Sequence, residues 1–376
     1  MTRAIGIDPG TVSFDVCGRD GDGVFLDVTY PTADVRDDPG SLVEVLLAAA
    51  PVDLIVGPSG YGLPWTDVRD VGPEELELML LADAGDGPRG TIIGGMGRLV
   101  EALKGSGLPV CFAPGVLHLT TVPEHRKANR IDMGTADKLC AVALAVWDQA
   151  SRWDEPYDQT SFVFVEAGGA FSAVIVVERG AIIDGSGGTC GAMGFRALGA
   201  MDGELAYLLR GFPTDVLASG GAAWIAGAPG SSPEALVAAA ADDPRAAAAL
   251  DALVEDVTKH VAAEAVLLDA PREVLLSGRL TRVPELRRRL VESLRRFAPV
   301  HVVSGYAEIS SEAAQGAAIL GQGLAGEGGL SDLVDAMGLR SACGGVLDHL
   351  FVSEAELLRR RHPLPRRPQV PFWKRS

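Results

Sequence analysis

The chain has 376 residues, 47% of them hydrophobic, enough for a full core and, by length, for two domains. Its net charge of −17 argues against general nucleic-acid binding, because a polyanion would be repelled. Five scattered cysteines without a C-x-x-C pair and six histidines without metal-ligand spacing exclude a disulfide framework and a zinc ribbon.

Residues 3–8 (RAIGID), 12–18 and 23–30 read as three strands, with Gly/Asp hairpin chemistry between the last two. A helix over 40–50 and a buried strand over 52–57 follow. From Thr135 a helix is predicted, with Leu139, Val142, Ala143 and Val146 on one face. Residues 161–167, 171–178 and 181–184 form a second run of strands. Residues 225–234 read as a loop, 246–268 as a long helix and 273–277 as a strand. A helix over 284–297, a strand over 299–303 and a small-residue helix over 308–323 complete the pattern. Both halves open with a strand, an acid-plus-glycine turn and a β-meander, which is a duplication of pattern rather than of sequence. Residues 363–376 are Pro-rich and basic and read as a tail. With no leader-like segment and no run of eighteen apolar residues, the expected location is cytoplasmic, with no membrane partner.

The turn after residue 8 suggests chemistry. A strand that ends in Asp8 and runs into Gly10, Thr11 and Ser13 exposes backbone N–H groups to phosphate oxygens. The Asp8 carboxylate could hold Mg²⁺ through water; a plain hairpin is the alternative. Glu166 with Gly168 and Gly169 repeats the design in the second half. Two such loops facing one another would grip a polyphosphate. Asp132, Asp137 and Lys138 stand at the start of the helix from Thr135. There Asp137 could orient an acceptor and Lys138 meet phosphate, or both could serve ordinary capping. A carboxylate acceptor would need an arginine, and Arg126, Arg130 and Arg196 are the candidates. Asp202 follows a Gly-rich stretch and either lines the substrate pocket or caps a helix.

These segments carry a resemblance. IGIDPGT resembles the first phosphate motif of the ASKHA superfamily of acetate and sugar kinases, Hsp70 and actin, and VEAGGAFSAVIVVERG resembles the second. VLLSGRL (274–280) is similar to the adenosine motif, and SSEAAQGAAIL (310–320) to the second connecting helix, where Gly316 would let two helices cross. NRIDMGTADKL (129–139) and GGTCGAMGFRALGAMDGELAYL (187–208) resemble the DUF1464 family, described as predicted butyrate kinases. The resemblance implies an α/β protein of two RNase H-like domains, 1–125 and 126–325, with ATP in a cleft between them and an extension over 326–376. It implies ATP and Mg²⁺ as cofactors, Asp8 and Glu166 toward the metal, and Ser277, Gly278 and Arg279 at the nucleoside. The implied reaction is phosphoryl transfer to a small acceptor, a short-chain carboxylate, with Asp137, Lys138, Arg196 and Asp202 as catalytic candidates. A sugar or polyol kinase with Asp137 as base, and a nucleotide-dependent switch, are the rival readings. A homodimer is a further expectation. Glu166 departs from the aspartate common at its position, and Ser277-Gly278 from Gly-Gly.

Overall fold

The computed structural model describes residues 2–10, 13–81 and 87–361. Its contacts divide into two units. The first comprises Met1–Ile131, Thr135–Asp158 and Ser304–Ser376, and the second Asp132–Gly134 and Gln159–Val303. The expected tail over 363–376 lies outside the described residues.

The first unit begins with β1 (Arg3–Pro9), β2 (Ser13–Asp20) and β3 (Gly23–Pro31), followed by α1 (Thr32–Asp37), α2 (Pro39–Ala48) and β4 (Leu54–Pro58). It continues through β5 (Thr66–Asp67), α3 (Pro73–Leu80), α4 (Gly87–Ser106), β6 (Val110–Ala113), α5 (Glu124–Lys127) and α6 (Ala136–Trp153). The second unit holds β7 (Phe162–Ala167), β8 (Ser172–Glu178), β9 (Ala181–Ser186), α7 (Gly203–Leu209), α8 (Ala222–Ile225) and α9 (Pro233–Ala239). It ends with α10 (Pro244–Ala265), β10 (Glu273–Ser277), α11 (Pro284–Leu294) and β11 (Val300–Val302). The chain then returns to the first unit as α12 (Glu312–Leu324), α13 (Gly328–Ala336) and α14 (Ala355–Arg361).

The two sheets are built alike. The first has strand order β3-β2-β1-β4-β6-β5, the second β11-β10-β7-β8-β9. In each, three antiparallel strands are followed by two that run parallel to the first. The duplication read from the sequence is thus one of topology. The central strands β4 and β10 are buried throughout, as strands covered on both faces must be, and their residues LIVGP and EVLLS are near-continuous apolar runs.

The units differ from the division expected at residues 126 and 325. Helices α6 and α12, placed in the second domain by their sequence position, pack with the first sheet. The reason is steric. A Cβ on Gly6 of β1 would lie 2.0 Å from the Ala314 carbonyl oxygen, and one on Gly316 would lie 1.8 Å from that of Cys140 in α6. Backbone meets backbone at both crossings, and every residue of α12 after Glu312 is buried. The expected helix start at 308 moves to Glu312, because the N–H groups of Glu308, Ile309 and Ser310 are engaged by Asp27 on β3, at 2.8–2.9 Å.

A C-terminal segment is stitched to the first unit. The Trp65 indole donates to the Leu339 carbonyl (2.9 Å), and Cys343 N–H to that of His118 (2.9 Å). Asn129, at φ 57°, donates its N–H to the His349 carbonyl and accepts from Phe351 N–H with its side chain. The His118 ring lies between the carbonyls of Gly344 (3.1 Å) and Tyr61 (3.3 Å) and is 1% exposed. Among the described residues, no helix is long and apolar enough to cross a membrane.

Burial pushes the His118 pKa down from 6.5 to about 4, although the carbonyls pull it up. Between those values the unfolded chain binds a proton that the folded chain does not. Stability therefore falls as pH drops through that window, by at most about 3 kcal/mol. Denaturant melts at pH 7.5 and pH 4.5 should show the loss, and a His118→Asn variant should show a smaller pH dependence than the parent.

Candidate active site

In the first unit the β1–β2 hairpin pairs Asp8 with Asp15 and Pro9 with Phe14. The turn is pinned at its entry. Gly10 N–H donates back to the Asp8 carbonyl (3.1 Å), and the Thr32 hydroxyl donates to the Gly10 carbonyl (2.7 Å). A Cβ on Gly10 would lie 2.7 Å from the Ser13 carbonyl oxygen, so the turn has room only for glycine. The Ser13 hydroxyl donates to Asp15 (3.0 Å). Thr11 lies outside the described residues. The half-buried Asp8 carboxylate accepts from the Ser311 hydroxyl (2.7 Å), and Ser311 caps α12 by accepting from Ala314 N–H (3.2 Å).

Helix α6 starts where the sequence placed it, with Thr135 as N-cap residue. The Thr135 hydroxyl donates to one oxygen of Asp137, and Lys138 Nζ donates to the other at 2.5 Å. Burial would raise the Asp137 pKa, but the Lys138 charge and the hydrogen bonds from Lys138 and Thr135 bring it below the usual carboxylate value. One first-turn donor is already spent: Ala136 N–H binds the Gly60 carbonyl (3.0 Å). A turn further on, the Cys140 thiol is buried, and its pKa is pushed up by burial first and then by the charges of Asp137 and Asp8. The thiol thus lies in the field of both acids.

In the second unit Glu166, near the end of β7, is in register with Ala173 of β8 and Ser277 of β10. Gly168 N–H donates to the Phe171 carbonyl (3.0 Å), closing a turn in which a Cβ on Gly168 would lie 2.7 Å from that oxygen. Gly278 has φ 94°, and a Cβ there would lie 2.6 Å from the Ala167 carbonyl oxygen. The stem of Arg279 passes Gly169, 3.8 Å from where its Cβ would stand. Glu166, Gly168, Gly169, Ser277, Gly278 and Arg279, far apart in sequence, therefore meet where β7 and β10 end.

The Gly-rich stretch after β9 is organised by a residue whose part the sequence did not reveal. Asp132 is 4% exposed. Its carboxylate accepts from Thr189 N–H and hydroxyl (both 3.0 Å) and from Gly134 N–H (3.2 Å), and its carbonyl accepts from Gly187 N–H (3.0 Å). It belongs to the second unit and anchors this loop; it does not cap the helix from Thr135, near which the sequence set it. The loop then lies on the β7–β8 turn, where Arg196 and Ala197 N–H both donate to the Ala170 carbonyl (3.1 Å each). Met193 N–H is held by Asp256 (2.7 Å). Arg196 is half-buried, and its Nε finds no hydrogen-bond partner among the described residues.

Other candidates fall elsewhere. Asp202 is exposed and accepts from Glu204 and Leu205 N–H (2.9 and 3.1 Å), so it caps α7. Arg126 lies in α5 and Arg130 is exposed just after it, both in the first unit. The sequence also did not reveal Ser311 as the partner of Asp8 or Glu234 as the partner of Arg279. Ser311 bore one signal, a serine just before a helical run; Glu234 bore none.

Two sheets of this order define an acetate-kinase-like fold. The structure is similar to a propionate kinase from Francisella tularensis subsp. tularensis SCHU S4, with a TM-score of 0.60 at 13% identity over 84% of this chain and 99% of that one. It is similar to an acetate kinase from Porphyromonas gingivalis (TM-score 0.58, 12% identity, 84% and 98% covered). An acetate kinase from Entamoeba histolytica gives a TM-score of 0.57 at 10% identity, with 78% and 87% covered. At these identities the likeness is one of fold. The family described as "Protein of unknown function (DUF1464)" matches residues 6–352, and the chain belongs to that family. No curated protein matches the chain.

Asp132→Asn places an amide N–H₂ against donors that now meet a carboxylate. A loss of about 1–3 kcal/mol in unfolding free energy is expected, with faster hydrogen exchange over residues 187–197. Unchanged exchange in that loop would remove Asp132 as its anchor.

Proposed function

We propose that the chain is an ATP-dependent phosphotransferase that moves the γ-phosphoryl group of ATP to a small acceptor, and that the acceptor is a short-chain carboxylate. One observation carries the reading. In each of two sheets of matching order, the first strand ends in a carboxylate and a glycine turn whose backbone is pinned: Asp8 with Gly10, and Glu166 with Gly168 and Gly169. Such turns suit phosphate oxygens. The donor set fits Mg²⁺, since single hard carboxylates suit an ion that keeps most of its water. Mg²⁺ would neutralise charge on the phosphates. Asp8 and Glu166 would hold it through water, and Ser277, Gly278 and Arg279 would meet the nucleoside.

Two observations support a carboxylate acceptor over a hydroxyl one. A hydroxyl acceptor needs a general base. Asp137, at the head of α6, has one oxygen engaged by the Thr135 hydroxyl and the other by Lys138, so it is already committed to both. A carboxylate needs no deprotonation but does need a cation, and the Arg196 guanidinium has hydrogen-bonding capacity left over. Lys138 would meet the transferred phosphoryl group, with Asp137 orienting it.

ADP release should be measured against a panel of short-chain acids and sugars, with hydroxylamine trapping any acyl phosphate. Acid-dependent turnover that yields a hydroxamate is expected; sugar-dependent turnover would replace the acceptor, and nucleotide binding without turnover on any acceptor would favour a switch. Asp8→Ala should lower turnover by roughly 100-fold while the circular dichroism spectrum stays unchanged.

A further inference from the structure

Arg279 is tied to a residue 45 positions earlier: its Nη2 donates to Glu234 Oε1. Glu234 stands in the first turn of α9, behind Pro233 and the cap residue Ser232, whose hydroxyl accepts from Ala235 N–H (3.2 Å). The pair spans the surface beside the glycine turn, with the two side chains 45% and 51% exposed. Exposed pairs of this kind add little to stability, so stability does not account for it. Its effect is on orientation. The stem of Arg279 is laid across Gly169 and its head is drawn to one carboxylate, which leaves a long side chain with few conformations.

With its Nη2 donating to Glu234, the Arg279 guanidinium has one edge already taken. The Arg279 side chain stays 45% exposed, and a planar cation fixed by one edge is suited to stacking on a ring. Gly169 lies beside its stem and Gly278 precedes it in the chain, so the neighbouring backbone carries no side chain there. We propose that Glu234 is a positioning residue that holds the Arg279 guanidinium as a platform for the purine ring of the nucleotide. The inference rests on the phosphotransferase reading and adds to it a determinant of base selection.

The test is equilibrium binding to the full chain of MgATP and of magnesium tripolyphosphate, which has the phosphates without the base. Arg279→Ala and Glu234→Gln should each weaken MgATP by roughly fivefold to tenfold and leave tripolyphosphate unchanged. Arg279→Lys, which keeps the charge and loses the plane, should fail to restore MgATP affinity, and thermal melts should match the parent. Equal weakening of both ligands would assign Arg279 to phosphate and overturn the platform. Parental MgATP affinity in Glu234→Gln would remove Glu234 as a positioning residue. If the parent chain bound neither ligand, the phosphotransferase reading itself would fall, a result distinct from either of these.

Discussion

The first unit depends on one helix lying against bare backbone on two sides. Helix α12 meets β1 at Gly6 and α6 at Gly316, at separations that no side chain could occupy. The gain is dispersion and apolar burial along thirteen residues, twelve of them buried. The consequence is placement. With α12 fixed on β1, its cap residue Ser311 reaches Asp8; with α6 fixed on α12, the Asp137–Lys138 pair is held at the head of α6 in the same unit. The Cys140 thiol is buried, and burial first, then the charges of Asp137 and Asp8, raise its pKa.

The loop that leads into α12 is held as firmly as the helix. Asp27 accepts three successive backbone N–H groups, and hydrogen bonds from Ser310, Ile309 and Glu308 bring its pKa below the usual value against the effect of burial. The Gln315 side chain accepts from Tyr306 and Ala307 N–H and donates to the Ser310 carbonyl (2.9 Å). Behind them Arg19, 3% exposed, donates to Gln322 and Asp22 and stacks its guanidinium 5.0 Å from the Tyr306 ring and 5.7 Å from that of Trp147. A buried cation is costly unless it is paired and bonded, and here two acceptors and two rings answer it. Three elements, β2, α6 and the loop before α12, are thereby locked around one side chain.

Much of this was legible in the sequence. The strand over 273–277 is β10 to the residue, and the two meanders were readable because acid-glycine turns punctuate apolar runs at matching places. That Glu166, Gly168, Gly169 and Ser277–Arg279 belong together was implied by the resemblance to the second phosphate and adenosine motifs, not by the strand pattern. Other parts were not legible. Strand β6 is four residues with no measurable period, and α4 is interrupted by glycines that hide a helical stripe. The sheet that α12 covers could not be chosen, because a stripe of Ala and Gly fits any close surface. The role of Asp132 depends on meeting Thr189, 57 residues away, and that of Glu234 on meeting Arg279; no local pattern encodes such pairings.

The carboxylates are used in two ways, and this bears on the proposed chemistry. Asp132 and Asp202 are consumed by backbone donors, one inside a loop and one at a helix start, so their charge is spent on shape. Asp8 takes a hydroxyl from Ser311, a neutral donor that leaves its charge in place at the rim of a pinned turn. Asp137 is matched to Lys138 and keeps an ionised pair at the head of α6, half-exposed at 27% and 15%. A site that must accept a polyanion needs cations and bare N–H groups more than free acids. On the phosphotransferase reading proposed above, a single acid at each glycine turn leaves the remaining positive charge to arrive with the nucleotide's metal.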